Sequence, residues 1–186
     1  YQTELETFAK VTLTGSTGTG TSSFEVRQKN GLIYEYGNTT DSRIEVQGSA
    51  SVVRLWALSK IRDRDGNYIE FAYTEDNANG TYRPNEVRWT GNTGQGLTPA
   101  YKAVFVYEAR SSTDPLVRYE NGYKSKETNR LLRLDVFYNT TNIVRRYTAS
   151  FTGAGSTART RTQTVQECGK GDLLCSQLVW FNWNTG

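Results

Sequence analysis

Histidine is absent from this 186-residue chain, and so is methionine. Without histidine, the most common general base is missing, and neither a Ser-His nor a Cys-His nucleophile pair can form. A site built on lysine or on two convergent carboxylates remains open, but the sequence nominates no such pair. We therefore predict that the chain is not an enzyme, has no catalytic residue and needs no cofactor.

Long apolar segments are absent as well. No run of about 18 apolar residues occurs, so we predict no membrane-spanning segment. No secretory signal sequence is recognisable, and we expect the chain to be a piece of a longer protein whose targeting signal lies elsewhere or has been removed. Only 3 prolines accompany 17 glycines, which indicates many tight turns and few rigid breaks.

Cysteine is scarce, and the two that occur lie close together in "ECGKGDLLC", at Cys168 and Cys175. Two cysteines across a glycine-containing loop can bridge the ends of a hairpin, and closing so short a loop contributes roughly 2–3 kcal/mol in the chain-entropy model. Two thiols without histidine do not complete a zinc site. The spacing favours a disulfide over two free thiols, and a disulfide implies a secreted or cell-surface location.

Charge of neither sign dominates, because 22 basic residues face 19 acidic ones and the net charge is +3. Arginines such as Arg133, Arg145 and Arg146 are distributed over candidate strands instead of forming one basic face. Nucleic-acid binding needs such a face. We predict no nucleic-acid partner.

A calcium site is the one metal site that the acidic residues suggest. Asp63 and Asp65 in "RDRDG" could bind Ca²⁺ together with Asp41 or Glu75, but the full calcium-loop pattern is missing. The arginines interleaved with this pair, at positions 62 and 64, favour local charge compensation. We predict no metal site.

Aromatic residues are abundant, with 12 Tyr, 7 Phe and 4 Trp. Together with the frequent Thr and Val, they favour pleated, half-buried strands over helices. In "IRDRDGNYIEFAYTED", Asp65-Gly66 predicts a type I′ hairpin turn, after which Ile69, Phe71 and Tyr73 alternate onto one face. Asn30-Gly31 is a second hairpin signal.

The same sequence pattern recurs along the chain: a predicted strand, a turn that contains Gly or Asn, and a second strand rich in aromatic residues. No window carries a helical apolar stripe. We predict an all-β fold, an antiparallel meander of successive β-hairpins that forms a curved sheet or a sandwich-like shell segment. The polar region from Pro115 to Asn129 is expected to be a long loop.

Two segments are predicted along the chain. Residues 1–23 comprise an N-terminal strand around Phe8 to Leu13 and the Gly/Ser/Thr-rich stretch "TLTGSTGTGTSS", a loop or linker. Residues 24–186 form the hairpin-rich domain.

The four tryptophans, Trp56, Trp89, Trp180 and Trp183, have two possible roles. They could form a platform on which sugars stack, or they could pack in the core and in cross-strand pairs, as large aromatics usually do. Packing is the favoured interpretation. In "VWFNW", Trp180 alternates with Phe181, so both faces of that strand carry aromatics, as expected for a strand covered on both sides in a larger assembly.

Five segments in order resemble a known family. They are "LWALSKIRDRDGNYIEFAYTED", "RPNEVRWTGN", "AVFVYEAR", "RLLRLDVFYNTTNIVRRYTASF" and "VQECGKGDLLCSQLVWFNW". Through this series, the chain from about Phe24 to Trp183 resembles the N-terminal SpvB-type domain of bacterial toxin-complex B components and related Rhs/YD-repeat proteins. The resemblance implies a structural module of a hollow β-shell that encloses a toxic polypeptide. It carries no catalytic residue over to this chain.

Two functions follow as hypotheses. The first is a non-catalytic scaffold segment of a secreted or surface-associated Rhs/toxin-complex-like protein, whose partners are neighbouring β-rich domains of the same polypeptide or assembly. The alternative is a stand-alone adhesin domain that binds a glycan or a cell-surface receptor through exposed aromatics.

Overall fold

The structure, a computed structural model, describes residues 7–15, 22–120, 122–153 and 159–183. In these ranges the regular elements are strands, apart from single turns of 3₁₀ helix, and no helix has the length or apolar content needed to cross a bilayer. The predicted all-β class is confirmed. Most of the Gly/Ser/Thr-rich stretch, residues 16–21, lies outside the described ranges.

The chain divides into two compact units. The first comprises residues 1–100 and 118–125, and the second comprises residues 101–117 and 126–186. The predicted boundary after residue 23 stays a prediction.

The first unit contains a six-stranded antiparallel sheet in the order β1-β2-β3-β6-β7-β8, and a separate antiparallel pair, β4-β5. These strands are β1 (Lys10–Thr14), β2 (Ser23–Arg27), β3 (Ile33–Tyr36), β4 (Arg43–Glu45), β5 (Val53–Trp56), β6 (Leu58–Arg62), β7 (Asn67–Asp76) and β8 (Thr81–Asn92). The predicted N-terminal strand is β1, which pairs with β2.

The second unit contains an antiparallel sheet in the order β9-β12-β13-β14-β15. These strands are β9 (Tyr101–Ala109), β12 (Asn129–Tyr138), β13 (Asn142–Thr152), β14 (Arg161–Cys168) and β15 (Val179–Trp180). From β12 onward each strand pairs with the next one in the chain. The predicted meander of hairpins is therefore present.

The region from Pro115 to Asn129, predicted as a long loop, is instead largely a hairpin. It consists of β10 (Leu116–Glu120) and β11 (Tyr123–Glu127), joined at a turn that contains Gly122 with φ 82°. The two strands form a sheet of their own, and most of their side chains are exposed. Because neither face is buried, the sequence lacks the apolar alternation from which a strand is recognised.

Both predicted Gly-turn hairpins form, but the turn at Asp65-Gly66 differs from the type I′ turn that was expected. A type I′ turn needs positive φ at both central residues, whereas φ is positive at Gly66 (85°) and not at Asp65. The loop has three residues, 64–66, because the Asp63 carboxylate accepts hydrogen bonds from the backbone N–H groups of Asp65 and Asn67, both at 2.9 Å. The loop at Asn30-Gly31 is similar, with φ 86° at Gly31.

The core of the first unit lies where the β4-β5 pair meets the main sheet. Ile44, Val46 and Ala57 are buried there, and Ile33 at the start of β3 is buried as well. Trp56 of β5 contributes its ring, whose centroid lies 5.3 Å from that of Phe24 in an edge-on contact.

Candidate interaction surfaces

An apolar row crosses the whole sheet of the first unit. One residue from each of its six strands takes part, and each lies directly opposite the next in the strand register, so that their side chains share a face. The residues are Val11, Val26, Tyr34, Ile61, Ile69 and Trp89. Ile69 is 36% exposed. Leu32, Ile61, Ile69 and Trp89 line a groove of about 520 Å³ on this surface. We call the six residues the apolar row.

A charged row occupies the register position next to it, on the opposite face of the sheet, because successive side chains of a strand alternate. Glu25, Glu35, Lys60, Glu70 and Arg88 lie opposite one another in turn along five neighbouring strands. Lys60 Nζ lies 3.2 Å from Glu70 Oε1. This sheet therefore carries an apolar row on one face and a charged row on the other.

Arg62 stabilises the charged row at its weakest point. Glu25 and Glu35 are directly opposite in the register, where like charges repel. Arg62 Nη2 contacts Glu25 and Arg62 Nε contacts Glu35, each at 2.8 Å. The hydrogen bond to Glu35 raises the pKa of the Arg62 guanidinium. Arg62 therefore pairs with carboxylates on the neighbouring strands and not with the adjacent Asp63.

The suggested calcium ligands do not converge. The side-chain amide of Asn67 donates to Asp63 at 2.8 Å, and this bond lowers the pKa of the Asp63 carboxyl. Asp41 instead accepts from the backbone N–H of Tyr73 at 2.7 Å. In the described ranges, no group of three or more Asp, Glu, Cys or His residues is arranged to hold a metal ion.

One carboxyl pair that the sequence did not nominate comes together in the first unit. Glu75 on β7 lies near Glu45 on β4, and burial, together with the neighbouring Glu45, raises the pKa of Glu75 to about 7. The two residues lie 30 positions apart on different strands, so no local sequence pattern could have found them. Neither borders the grooves described here.

The cysteine loop of the second unit is closed by a bond between Cys168 and Cys175. Asp172 in this loop is ion-paired with Arg146 on β13. Leu173 and Leu174 project from the loop and are strongly exposed.

A second groove, of about 300 Å³, lies at the C-terminal strand. Its aromatic lining is Trp180, Phe181 and Trp183, and its polar lining includes Arg161, Gln163 and Asn182. Trp180 is 60% exposed and Trp183 is 49% exposed. We call this groove the tryptophan groove.

The structure places the four tryptophans in three settings. Trp56 packs on Phe24, and its indole N–H donates to the Ser22 carbonyl at 2.8 Å. Trp89 ends the apolar row. Trp180 and Trp183 lie together in the tryptophan groove. Whether any of them binds a ligand stays a prediction.

Comparison with known proteins identifies the family. The profile of SpvB, described as Salmonella virulence plasmid 65kDa B protein, matches residues 2–101 of the 186. The chain belongs to the SpvB family. The resemblance read from the sequence motifs is thereby confirmed, and the profile match begins well before Phe24. No curated protein sequence matches the chain.

Solved structures share the fold of this SpvB-family chain at low sequence identity. The N-terminal domain of effector protein SpvB from Salmonella typhimurium strain LT2 matches with a TM-score of 0.70 and 15% identity, over 89% of this chain and 67% of that one. TcdB2-TccC3 matches with a TM-score of 0.64 and 14% identity, over 89% of this chain. The Photorhabdus luminescens Tc holotoxin pore matches with a TM-score of 0.67 and 14% identity, over 91% of this chain. This chain spans 11% of the length of each of these two toxin chains.

Proposed function

We propose that this chain is a non-catalytic structural module of a secreted or surface-associated toxin-type protein. In this role it contributes strands and one apolar sheet face to a larger β-shell that encloses or presents a toxic segment. Its partners are the neighbouring β-rich domains of the same polypeptide or assembly. The observation that carries the proposal is the pair of rows on the first sheet, one apolar and one charged.

A sheet with two unlike faces suits the wall of a shell. An antiparallel sheet commonly packs one face against another layer and leaves the other face in water. In this chain the apolar row remains partly exposed at Ile69, which makes it a surface for a further layer. The charged row is satisfied by pairs such as Lys60–Glu70 and needs no partner to be stable in water.

The relatives support the toxin context of this proposal. One is the N-terminal domain of an effector protein, and others are chains of Tc toxin complexes that are much longer than this chain. A bond between Cys168 and Cys175 suits export to an oxidising environment.

A matched pair of cysteine variants tests the proposal. Ile69 and Glu70 are neighbours on β7 but belong to the apolar and charged rows, and both are partly exposed to solvent. We expect a thiol reagent to label both I69C and E70C rapidly in the isolated chain. In the complete polypeptide encoded by the gene, I69C should become protected while E70C stays reactive.

Two results would contradict the structural role. One is equal labelling of I69C and E70C in the complete polypeptide, because no layer then covers the apolar row. The other is a gene that ends soon after residue 186, because no shell then remains to be built. Circular dichroism of both variants provides the control that the sheet is intact.

A further inference from the structure

The tryptophan groove combines two features that ligand sites share and that a dry protein contact lacks. It has a volume of about 300 Å³, within the usual range of small-molecule sites, and it mixes exposed aromatic faces with a few polar side chains. Arg161, Gln163 and Asn182 lie among the rings. A flat apolar partner would bury the side chains of Gln163 and Asn182 without satisfying them, at a cost in free energy. A ligand with many hydroxyl groups can satisfy them.

The Trp183 indole is held in place although the residue is 49% exposed. Its indole N–H donates to the backbone carbonyl of Thr162 on β14 at 2.7 Å, so the edge of this ring is fixed. The Arg161 guanidinium lies 5.8 Å from the centre of the same ring. Trp180 belongs to β15, and its position lies opposite Thr164 of β14. A fixed aromatic face loses little conformational entropy when a ligand stacks on it.

We propose that the tryptophan groove is a carbohydrate-binding site, in which a pyranose ring stacks on Trp180 or Trp183. Its hydroxyl groups are hydrogen-bonded by Gln163, Asn182 and Arg161. An aromatic ring offers an apolar face to the C–H face of a sugar, while amides and a guanidinium offer directional donors to its hydroxyls. Among the described residues that line the groove, Arg161 is the one cation. A nucleic acid would also stack on the indoles but requires a positively charged tract for its phosphates.

The proposal goes beyond the structural role, because it gives this chain a ligand of its own. It also separates the four tryptophans, since only Trp180 and Trp183 are assigned to sugar. The two proposals concern different surfaces in different units, so either can fail without the other.

The test is a glycan array probed with the purified 186-residue chain, followed by titration calorimetry with each saccharide that binds. We expect at least one oligosaccharide to bind and the tryptophan fluorescence to shift to shorter wavelength as it does. At least one of the variants W180A and W183A should weaken binding about tenfold, which corresponds to the loss of one stacked aromatic contact. W180F should retain most of the affinity because it keeps an aromatic face.

The control is Y119A, because Tyr119 is an aromatic residue of the first unit that is 71% exposed and lies outside the groove. It should bind like the wild type. Absence of any saccharide that binds in solution would overturn the proposal. So would equal affinity of W180A, W183A and Y119A in variants whose circular dichroism is unchanged.

Discussion

Glu45 and Glu75 carry neighbouring carboxyl groups, on strands β4 and β7 of two different sheets in the first unit. Two carboxylates that lie close together repel each other, which favours the protonated form of one of them. Burial of Glu75 is the largest cause that raises its pKa, the neighbouring Glu45 and Asp41 raise it further, and Arg43 opposes them, so that the pKa is about 7. This contact therefore titrates near neutral pH.

The raised pKa of Glu75 predicts that the first unit loses stability as the pH rises from about 4.5 through 7. The folded pKa of Glu75 lies above its reference value of 4.5, so its contribution is complete below about pH 4.5 and is lost as the pH rises through 7. We expect the free energy of unfolding to fall by about 1–2 kcal/mol between pH 5 and pH 8, because partial exposure of Glu75 screens the pair. Urea titrations at the two pH values measure this difference.

The variant E75Q separates this pair from other titrating groups. Its amide can donate to Glu45 at any pH, so the fall between pH 5 and pH 8 should disappear and the variant should be more stable than the wild type at pH 8. Glu120, an exposed carboxylate on β10, supplies the control variant E120Q, which should keep the fall. An unchanged pH dependence in E75Q would show that Glu75 is ionised throughout.

Local sequence patterns predict the hairpins of this fold, but they do not predict contacts between strands that are far apart in the sequence. Asn30-Gly31 and Asp65-Gly66 indicate turns in the sequence, because glycine adopts positive φ without strain. The three-residue loop at Gly66 was missed because it depends on the side chain of Asp63, which caps two backbone N–H groups. The β10-β11 hairpin was missed because its strands are exposed and charged.

The candidate surfaces were even less predictable. Ile69 and Trp89 read as strand residues, but their alignment in one row follows from the register between strands, including a bulge next to Ile69. A one-residue change in register would place them on opposite faces. The pairing of Trp180 with Trp183 in one groove likewise depends on how β15 lies on β14.

The bond between Cys168 and Cys175 predicts how the protein reacts with thiol reagents. Labelling of the native protein and of the unfolded, unreduced protein should both give no signal, because no free cysteine is present. Unfolding after reduction should expose two thiols. The double variant C168S/C175S should lose roughly 2–3 kcal/mol in the free energy of unfolding, because the bond restricts the unfolded chain. The value lies in this range because the loop that the bond closes is short. Two reactive thiols in the unfolded, unreduced protein would show that the bond does not form in solution.

Gly37 predicts a large effect from the addition of one methyl group. It has φ 67°, and a Cβ atom at this position would lie 2.2 Å from Cδ1 of Trp56. The variant G37A should therefore displace the indole from the core and strain the backbone, with a loss of about 2–4 kcal/mol in the free energy of unfolding.

Gly48 is the matched control, because it has φ 73° and a Cβ atom added there would meet nothing within 4 Å. G48A should cost only about 1 kcal/mol of backbone strain. Equal losses in the two variants, measured by urea unfolding, would mean that the contact with Trp56 is relieved without cost.

We expect the buried carboxylate of Asp135 on β12, in the second unit, to contribute more to the free energy of unfolding than an exposed ion pair in the first unit. It is only 3% exposed, and it accepts from Arg146 Nε at 2.6 Å and from Arg133 Nε at 3.0 Å. Burial alone would raise the pKa of its carboxyl, but these hydrogen bonds outweigh burial and lower it. D135A leaves both guanidinium groups without this partner and should lower the free energy of unfolding by about 2–4 kcal/mol, since the partly exposed arginines can regain some water.

The comparison variant E120A removes the ion pair between Arg54 and the exposed Glu120, and should lower the free energy of unfolding by less than about 1 kcal/mol. D135N, which keeps one acceptor oxygen and the side-chain shape, should fall between them. If urea unfolding gives D135A and E120A the same loss, the two arginines are already hydrated and the buried position of Asp135 adds nothing to the stability of the sheet.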